Sequence, residues 1–255
     1  MKILIFIFCV ISVTFAANYC DKEKYCKFFN GREYELRDHI ACPGVAKNIC
    51  PKGSKAIPIN ALKSIILDRH NKYRNDIAGG KTSGYSPASG MTEMTWDDEL
   101  AEIAAKNAMT CNYKHDACRN TDKYPRAGQN LARKWMSGYS TDDKEFVEES
   151  IDLWWNEYND TDQDVIDSFR DTGAKIGHFT VMAHEGAYKI GCAISQYPES
   201  RVISGKYWDG VTRYLVCNYA MTNIINKPIY KKGSPRSACK AGKSIRYSNL
   251  CSSAY

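Results

Sequence analysis

Past residue 17 this chain of 255 residues has no charge-free apolar run approaching the roughly 20 residues that cross a bilayer, so an integral membrane protein is not expected. It has no CxxC pair and no Cys/His cluster, which removes the common structural zinc modules. It has no GxSxG segment, so the usual serine-hydrolase elbow is missing. His184-Glu185 opens like a zinc-protease helix, but Tyr188 stands where HExxH needs its second histidine. Arg-Gly-Asp is absent, as are internal repeats and low-complexity tracts. Nothing suggests sequence-reading of nucleic acid.

What is present points outside the cell. Lys2, an apolar run from Ile3 to Val10 that continues to Phe15, and the small pair Ala16-Ala17 have the pattern of a secretory signal peptide, residues 1–17. Of the 11 cysteines, Cys9 leaves with that segment. The ten that remain form an even set, and in a secreted chain that predicts five bridges and no free thiol. Removing 17 of 255 residues leaves 238, enough for one sizeable core or two small ones. Without Lys2 the formal charge falls from +6 to +5. Its distribution is uneven: residues 227–255 hold seven basic side chains and no acid, while residues 141–171 hold twelve acids against Lys144 and Arg170. The basic tail, closed by Cys239–Cys251, reads as a solvated appendage.

Three regions separate by pattern. Residues 18–56 carry four cysteines with Gly and Pro and read as a bridged, looped segment, in which Asn30-Gly31 predicts a tight turn. Residues 57–226 carry the periodic elements, and 227–255 form the tail. Leu62, Ile66, His70, Tyr73 and Ile77 share one face of a helix over 60–78, which Gly79-Gly80 ends. A capping signal at Thr95-Trp96-Asp97-Asp98 starts a second helix running to Cys111. A third spans 143–158. Strands are predicted over 178–182, 188–196 and 213–220, with Cys192 and Cys217 placed for a cross-strand bridge. Helices followed by antiparallel strands indicate an α+β layered domain.

Five ordered segments carry a resemblance: His70-Asn71-Lys72-Tyr73-Arg74, Gly128-Gln129-Asn130-Leu131-Ala132, Trp154-Trp155-Asn156-Glu157, Gly177-His178-Phe179-Thr180 and Cys217-Asn218-Tyr219. Together they resemble the CAP superfamily of cysteine-rich secretory, antigen 5 and pathogenesis-related proteins. Asn18-Tyr19-Cys20 and His115-Asp116-Ala117-Cys118 are similar to its insect antigen 5 branch. The resemblance implies a three-layer α-β-α sandwich over 57–226. It also implies the bridges Cys20–Cys42, Cys26–Cys118, Cys50–Cys111 and Cys192–Cys217, which leaves Cys239–Cys251 as the fifth. Many family members gather two histidines and two glutamates in a central cleft. Carried over, these are His70, His178 and Glu157, with Gln129 as a departure that removes one carboxylate. His70 and His178 would be the ligands of a divalent metal such as zinc or magnesium, although none is required.

Paired-carboxylate chemistry needs two ionisable groups, which Gln129 denies, and every mature cysteine can pair. The expectation is therefore a non-enzymatic, monomeric extracellular binder, not a metal-dependent protease. The family association is with small apolar ligands of lipid, sterol or eicosanoid type. Trp135, Met136, Tyr139, Phe146, Trp154 and Trp155 around the third helix supply apolar material, although core packing accounts for any one of them. The alternative is a salivary or venom effector that engages a protein in haemostasis, a channel or an integrin. Asn159-Asp160-Thr161 is a glycosylation sequon.

Overall fold

A computed structural model describes residues 17–253 apart from 48 and 139–140; the signal-peptide reading and Tyr139 therefore lie outside the described residues, save Ala17. The helices are α1 (Lys22–Tyr25), α2 (Lys63–Ala78), α3 (Asp98–Ala108), α4 (Asp143–Asn156), α5 (Gln163–Asp167) and α6 (Gly177–Ala183). The strands are β1 (Lys27–Phe29), β2 (Tyr34–Leu36), β3 (Lys55–Ile57), β4 (Thr95–Trp96), β5 (Gly128–Met136), β6 (Lys189–Pro198), β7 (Arg201–Ile203), β8 (Lys206–Trp208) and β9 (Val211–Tyr219).

The central sheet runs β3-β6-β9-β5 with antiparallel neighbours, and β4 adds a short parallel pairing to β6. One face carries α3. The other carries α2, α4 and α6, completing an α-β-α sandwich. The larger core lies on the second side, where Ile66, Ile77, Phe146, Ile151, Trp155, Phe179 and Met182 are buried together. Gly191 lets α3 approach the sheet: a Cβ there would stand 2.2 Å from the Ala101 backbone nitrogen and 2.5 Å from the Asp97 carbonyl.

Local chemistry explains the helix ends. Asp97 caps α3 by accepting from the Leu100 N–H, so the capping segment divides, with Thr95 and Trp96 in β4. Asp142 caps α4 in the same way through Glu145. Gly79 closes α2 by donating to Asn75 O, and Gly80 turns left-handed at φ +73°. The Asn30-Gly31 turn forms as predicted, with Asn30 Oδ1 accepting from the N–H groups of Arg32 and Glu33.

Three expectations are corrected. The segment expected as a strand over 178–182 is helix α6. Phe179, Thr180 and Val181 favour strands in isolation, but burial of that turn between α4 and β5 overrides the preference. Residues 128–136, not assigned to a strand from sequence, form β5 at the sheet edge. The tail is not a solvated appendage: Ile229, Tyr230 and Leu250 are at most 1% exposed and join the main core. Asn249 donates to both Asn75 Oδ1 and Asn75 O on α2, and Cys251 exchanges backbone bonds with Met91 and Glu93.

Five disulfides are present: Cys20–Cys42, Cys26–Cys118, Cys50–Cys111, Cys192–Cys217 and Cys239–Cys251. Cys192 and Cys217 face each other in the β6–β9 register. No helix among the described residues is long and apolar enough to cross a membrane.

Candidate functional site

A cleft of about 410 Å³ opens where β5, the end of α4, the start of α6 and the loop after α3 converge, and His115, Gln129, Glu157 and His178 all line it. Glu157 is placed there because α4 tightens into a 3-10 turn over Glu157–Asp160. Its Oε2 accepts from the backbone N–H groups of His178 (2.9 Å) and Phe179 (3.2 Å), and its Oε1 pairs with His178 Nδ1 at 2.6 Å. Both carboxylate oxygens are thus committed to the start of α6. The His178 ring stacks on Trp154, 5.9 Å between centroids.

A second set of bonds fixes His115. Gln129 Nε2 donates to Asp116 Oδ2 (2.7 Å) and to Asn218 Oδ1 (3.0 Å), so its Oε1 must face the imidazole and accept from His115 Nδ1–H at 2.8 Å. Asp116 is held in turn by Arg119 at 2.7 Å and by Asn107. Each histidine therefore donates through Nδ1, and neither Nε2 takes part in these bonds. Burial, reinforced by the charge on Arg119, pushes the His115 pKa below its ordinary value.

A family model described as CAP, cysteine-rich secretory protein family, matches residues 67–219. The chain belongs to the CAP family. It is similar to Venom allergen-1 of Aedes aegypti, 40% identical over 92% of this chain and 88% of that protein. It is also similar to the antigen 5 like allergen Cul n 1 of Culicoides nubeculosus, 38% identical over 76% of this chain and 90% of the relative. Among solved structures, BmVAL-1 shares the fold at a TM-score of 0.60 and 23% identity, covering 81% of this chain and 99% of that one.

Within this CAP domain the assignment of His70 to the cleft is corrected. His70 is fully buried in α2, where Nδ1–H donates to Ile66 O at 2.7 Å and Nε2 accepts from the Tyr219 hydroxyl at 3.0 Å. Both nitrogens are taken, so His70 cannot be a metal ligand. Burial, with the charge on Arg74 adding to it, pushes its pKa down to about 4. Tyr219 also accepts from Asn130 Nδ2, which donates again to His178 O. His70 is thus tied to the cleft floor through a polarised chain without lining it.

The second cleft histidine is His115. It lies in the irregular loop after α3, where no periodicity marks it, but Cys111 and Cys118 staple that loop on either side. Those flanking cysteines are the signal that could have found it.

The donor set does not fit a resident metal. Two imidazole nitrogens supply half of a structural zinc shell and fewer than the three protein ligands of a catalytic one. Magnesium needs oxygen, and both Glu157 oxygens are engaged. No group of three or more His, Cys, Asp or Glu side chains suited to a metal occurs among the described residues.

Outside the cleft, Met136, Phe146, Trp154 and Trp155 are at most 4% exposed and belong to the interior. Trp135 donates to Glu199 O and lies under Arg201. These aromatics serve mainly as packing, although Trp155 also borders a surface pocket with Tyr73 and Tyr158. The apolar groove is elsewhere. A cavity of about 430 Å³ lies between β3, the turn leading into α2, α3 and β6, lined by Ile57, Ile59, Trp96, Ala101, Ala105 and Ile194 among others. Lys63 sits at its edge, over the Trp96 ring and 3.1 Å from Asp98. The glycosylation sequon begins at an exposed Asn159 in the turn after α4.

Proposed function

We propose that this CAP protein is an extracellular, non-catalytic binder that holds a small apolar ligand of the fatty-acid or sterol kind. The observation that carries the reading is the groove between α3 and β3. Its volume of about 430 Å³ lies within the range that accommodates small ligands. Its walls combine aliphatic and indole surface with alanines at positions 101 and 105, where larger side chains would fill the space. Lys63 and Asp98 at the rim can fix a polar end.

The cleft supports the non-catalytic half of the proposal. Among the described residues no serine or cysteine lines it, and Thr222, which does, makes no hydrogen bond to either histidine. The start of α6 holds Glu157, and Gln129 carries no charge. A second reading, engagement of a protein target, has its own support in the disulfide-bound β1–β2 hairpin, which exposes Phe29 and Tyr34 at 61% and 65%.

Native mass spectrometry of the secreted protein, followed by solvent extraction, tests the reading. A bound apolar molecule is expected on the wild type. The Ala105→Trp variant, which fills the groove from a half-buried helical position, should weaken recapture of that molecule about tenfold or more, equivalent to about 1.4 kcal/mol. Chelator should leave recapture unchanged. An empty wild-type protein that takes up no lipid would move the function to the protein target.

A further inference from the structure

We propose that the β7–β8 hairpin is a docking tip for the surface of an anionic lipid bilayer. It grows out of the end of the central ladder, where Pro198 of β6 pairs with Val211 of β9. Only three register pairs hold it: Arg201 with Trp208, Val202 with Tyr207, and Ile203 with Lys206. The turn places Ser204 and Gly205 at φ +51° and +76°, the two positive angles of a tight hairpin turn.

The base is fixed and the tip is bare. Arg201 pairs with Glu199 at 2.8 Å and covers the Trp135 ring, Trp135 Nε1–H donates to Glu199 O, and Ser137 and Ser200 both donate to Asp209. Beyond that base, all seven residues from Val202 to Trp208 are exposed. Val202 is 68% and Tyr207 72% exposed on one face, with Ile203 at 46% and Trp208 at 47% on the other. Leaving four large apolar side chains in water at the end of a hairpin is costly unless something covers them.

Composition and size select the partner. Tyr and Trp beside Val and Ile, with one lysine, match the chemistry of the headgroup boundary, where amphipathic rings and basic side chains settle together. No acid lies between Arg201 and Trp208, and Lys206 forms no ion pair among the described residues. Lys55 on β3, opposite Gln196, adds an exposed positive charge at the base. A stable protein complex needs roughly 20–30 residues a side, several times what this tip offers. Shallow insertion into a lipid surface needs only a few apolar side chains and attraction between opposite charges.

The test uses the full secreted chain and vesicles of mixed phosphatidylcholine and phosphatidylserine. Wild-type protein is expected to co-sediment with these vesicles, to release them as salt rises, and to show tryptophan quenching by brominated lipid. Lys206→Gln should weaken binding about fivefold, the effect of one basic residue at an anionic surface. Tyr207→Ser with Trp208→Ser should weaken it about tenfold or more and remove most of the quenching. Because both residues are exposed, the fold should survive, as circular dichroism would verify. Ile245→Ser, at an equally exposed apolar side chain in the tail, should change nothing. Three results would each overturn the proposal: no vesicle binding by the wild type, unchanged binding by the double variant, or exclusive protein adducts from a photo-crosslinker at position 207.

Discussion

Acid should unfold this protein through histidines that lie outside the cleft. His70 and His184 are at most 6% exposed, and each is held neutral by burial, with a pKa pushed from an ordinary value near 6.5 down to about 4; at both the charge on Arg74 adds to the effect. The folded state therefore binds fewer protons than the unfolded chain between those values. Stability is complete above about pH 6.5 and falls as pH drops toward 4. Each histidine should cost about 2–3 kcal/mol between pH 7.5 and 4.5, and the pair about 5 kcal/mol. That is comparable with the whole stability of many domains. Denaturant unfolding at closely spaced pH values between 5 and 6 should show a slope of about 2 kcal/mol per pH unit, to which His39 and His115, also depressed by burial, add. His70→Gln keeps a donor and an acceptor for Ile66 and Tyr219 but cannot titrate, and should reduce the slope by about 1 kcal/mol per pH unit. An unchanged slope in that variant would refute the assignment of the buried proton deficit to His70.

Two further substitutions probe how the layers are held. Arg74 is fully buried and donates to the carbonyls of Thr92, Met182 and His184, so Arg74→Met should orphan three acceptors and cost about 3–5 kcal/mol, read as a lower melting temperature. Gly191→Ala would drive a methyl group into the α3 backbone and should cost about 3 kcal/mol in chemical denaturation, with α3 losing amide-exchange protection before the rest of the domain.

Much of this fold was legible because apolar spacing and turn chemistry agreed. Ile66, His70 and Ile77 share the buried face of α2, and Gly79-Gly80 ended that helix where expected. β6 and β9 were readable from β-branched and aromatic runs. β5 was not, because it buries Gln129 and Asn130 beside Leu131 and so breaks the alternation expected of a half-exposed strand. α6 was hidden by strand-forming residues whose helix depends on tertiary burial. The site was half legible. Glu157, His178 and Gln129 lie on regular elements or at their ends, where ordered motifs mark them. His115 lies in a loop positioned by disulfides and by the hydrogen bond to Gln129, which depend on partners distant in sequence. His70 misled because the family resemblance carries a cleft histidine onto the motif in α2, whereas its two partners, Ile66 O and the Tyr219 hydroxyl, hold it in the core.

The docking of the tail has a consequence for how the chain is made. Leu250 fills the same core as Ile66 and Ile77 of α2, and Asn249 binds Asn75 across a separation of 174 residues. A growing chain cannot close that core until residues 249–251 have left the ribosome, whatever local structure has formed by then. Quality control during synthesis would meet a domain whose interior is still open at one edge. Loss of residues 249–251 should therefore yield a molecule that begins to fold but leaves its core open to water.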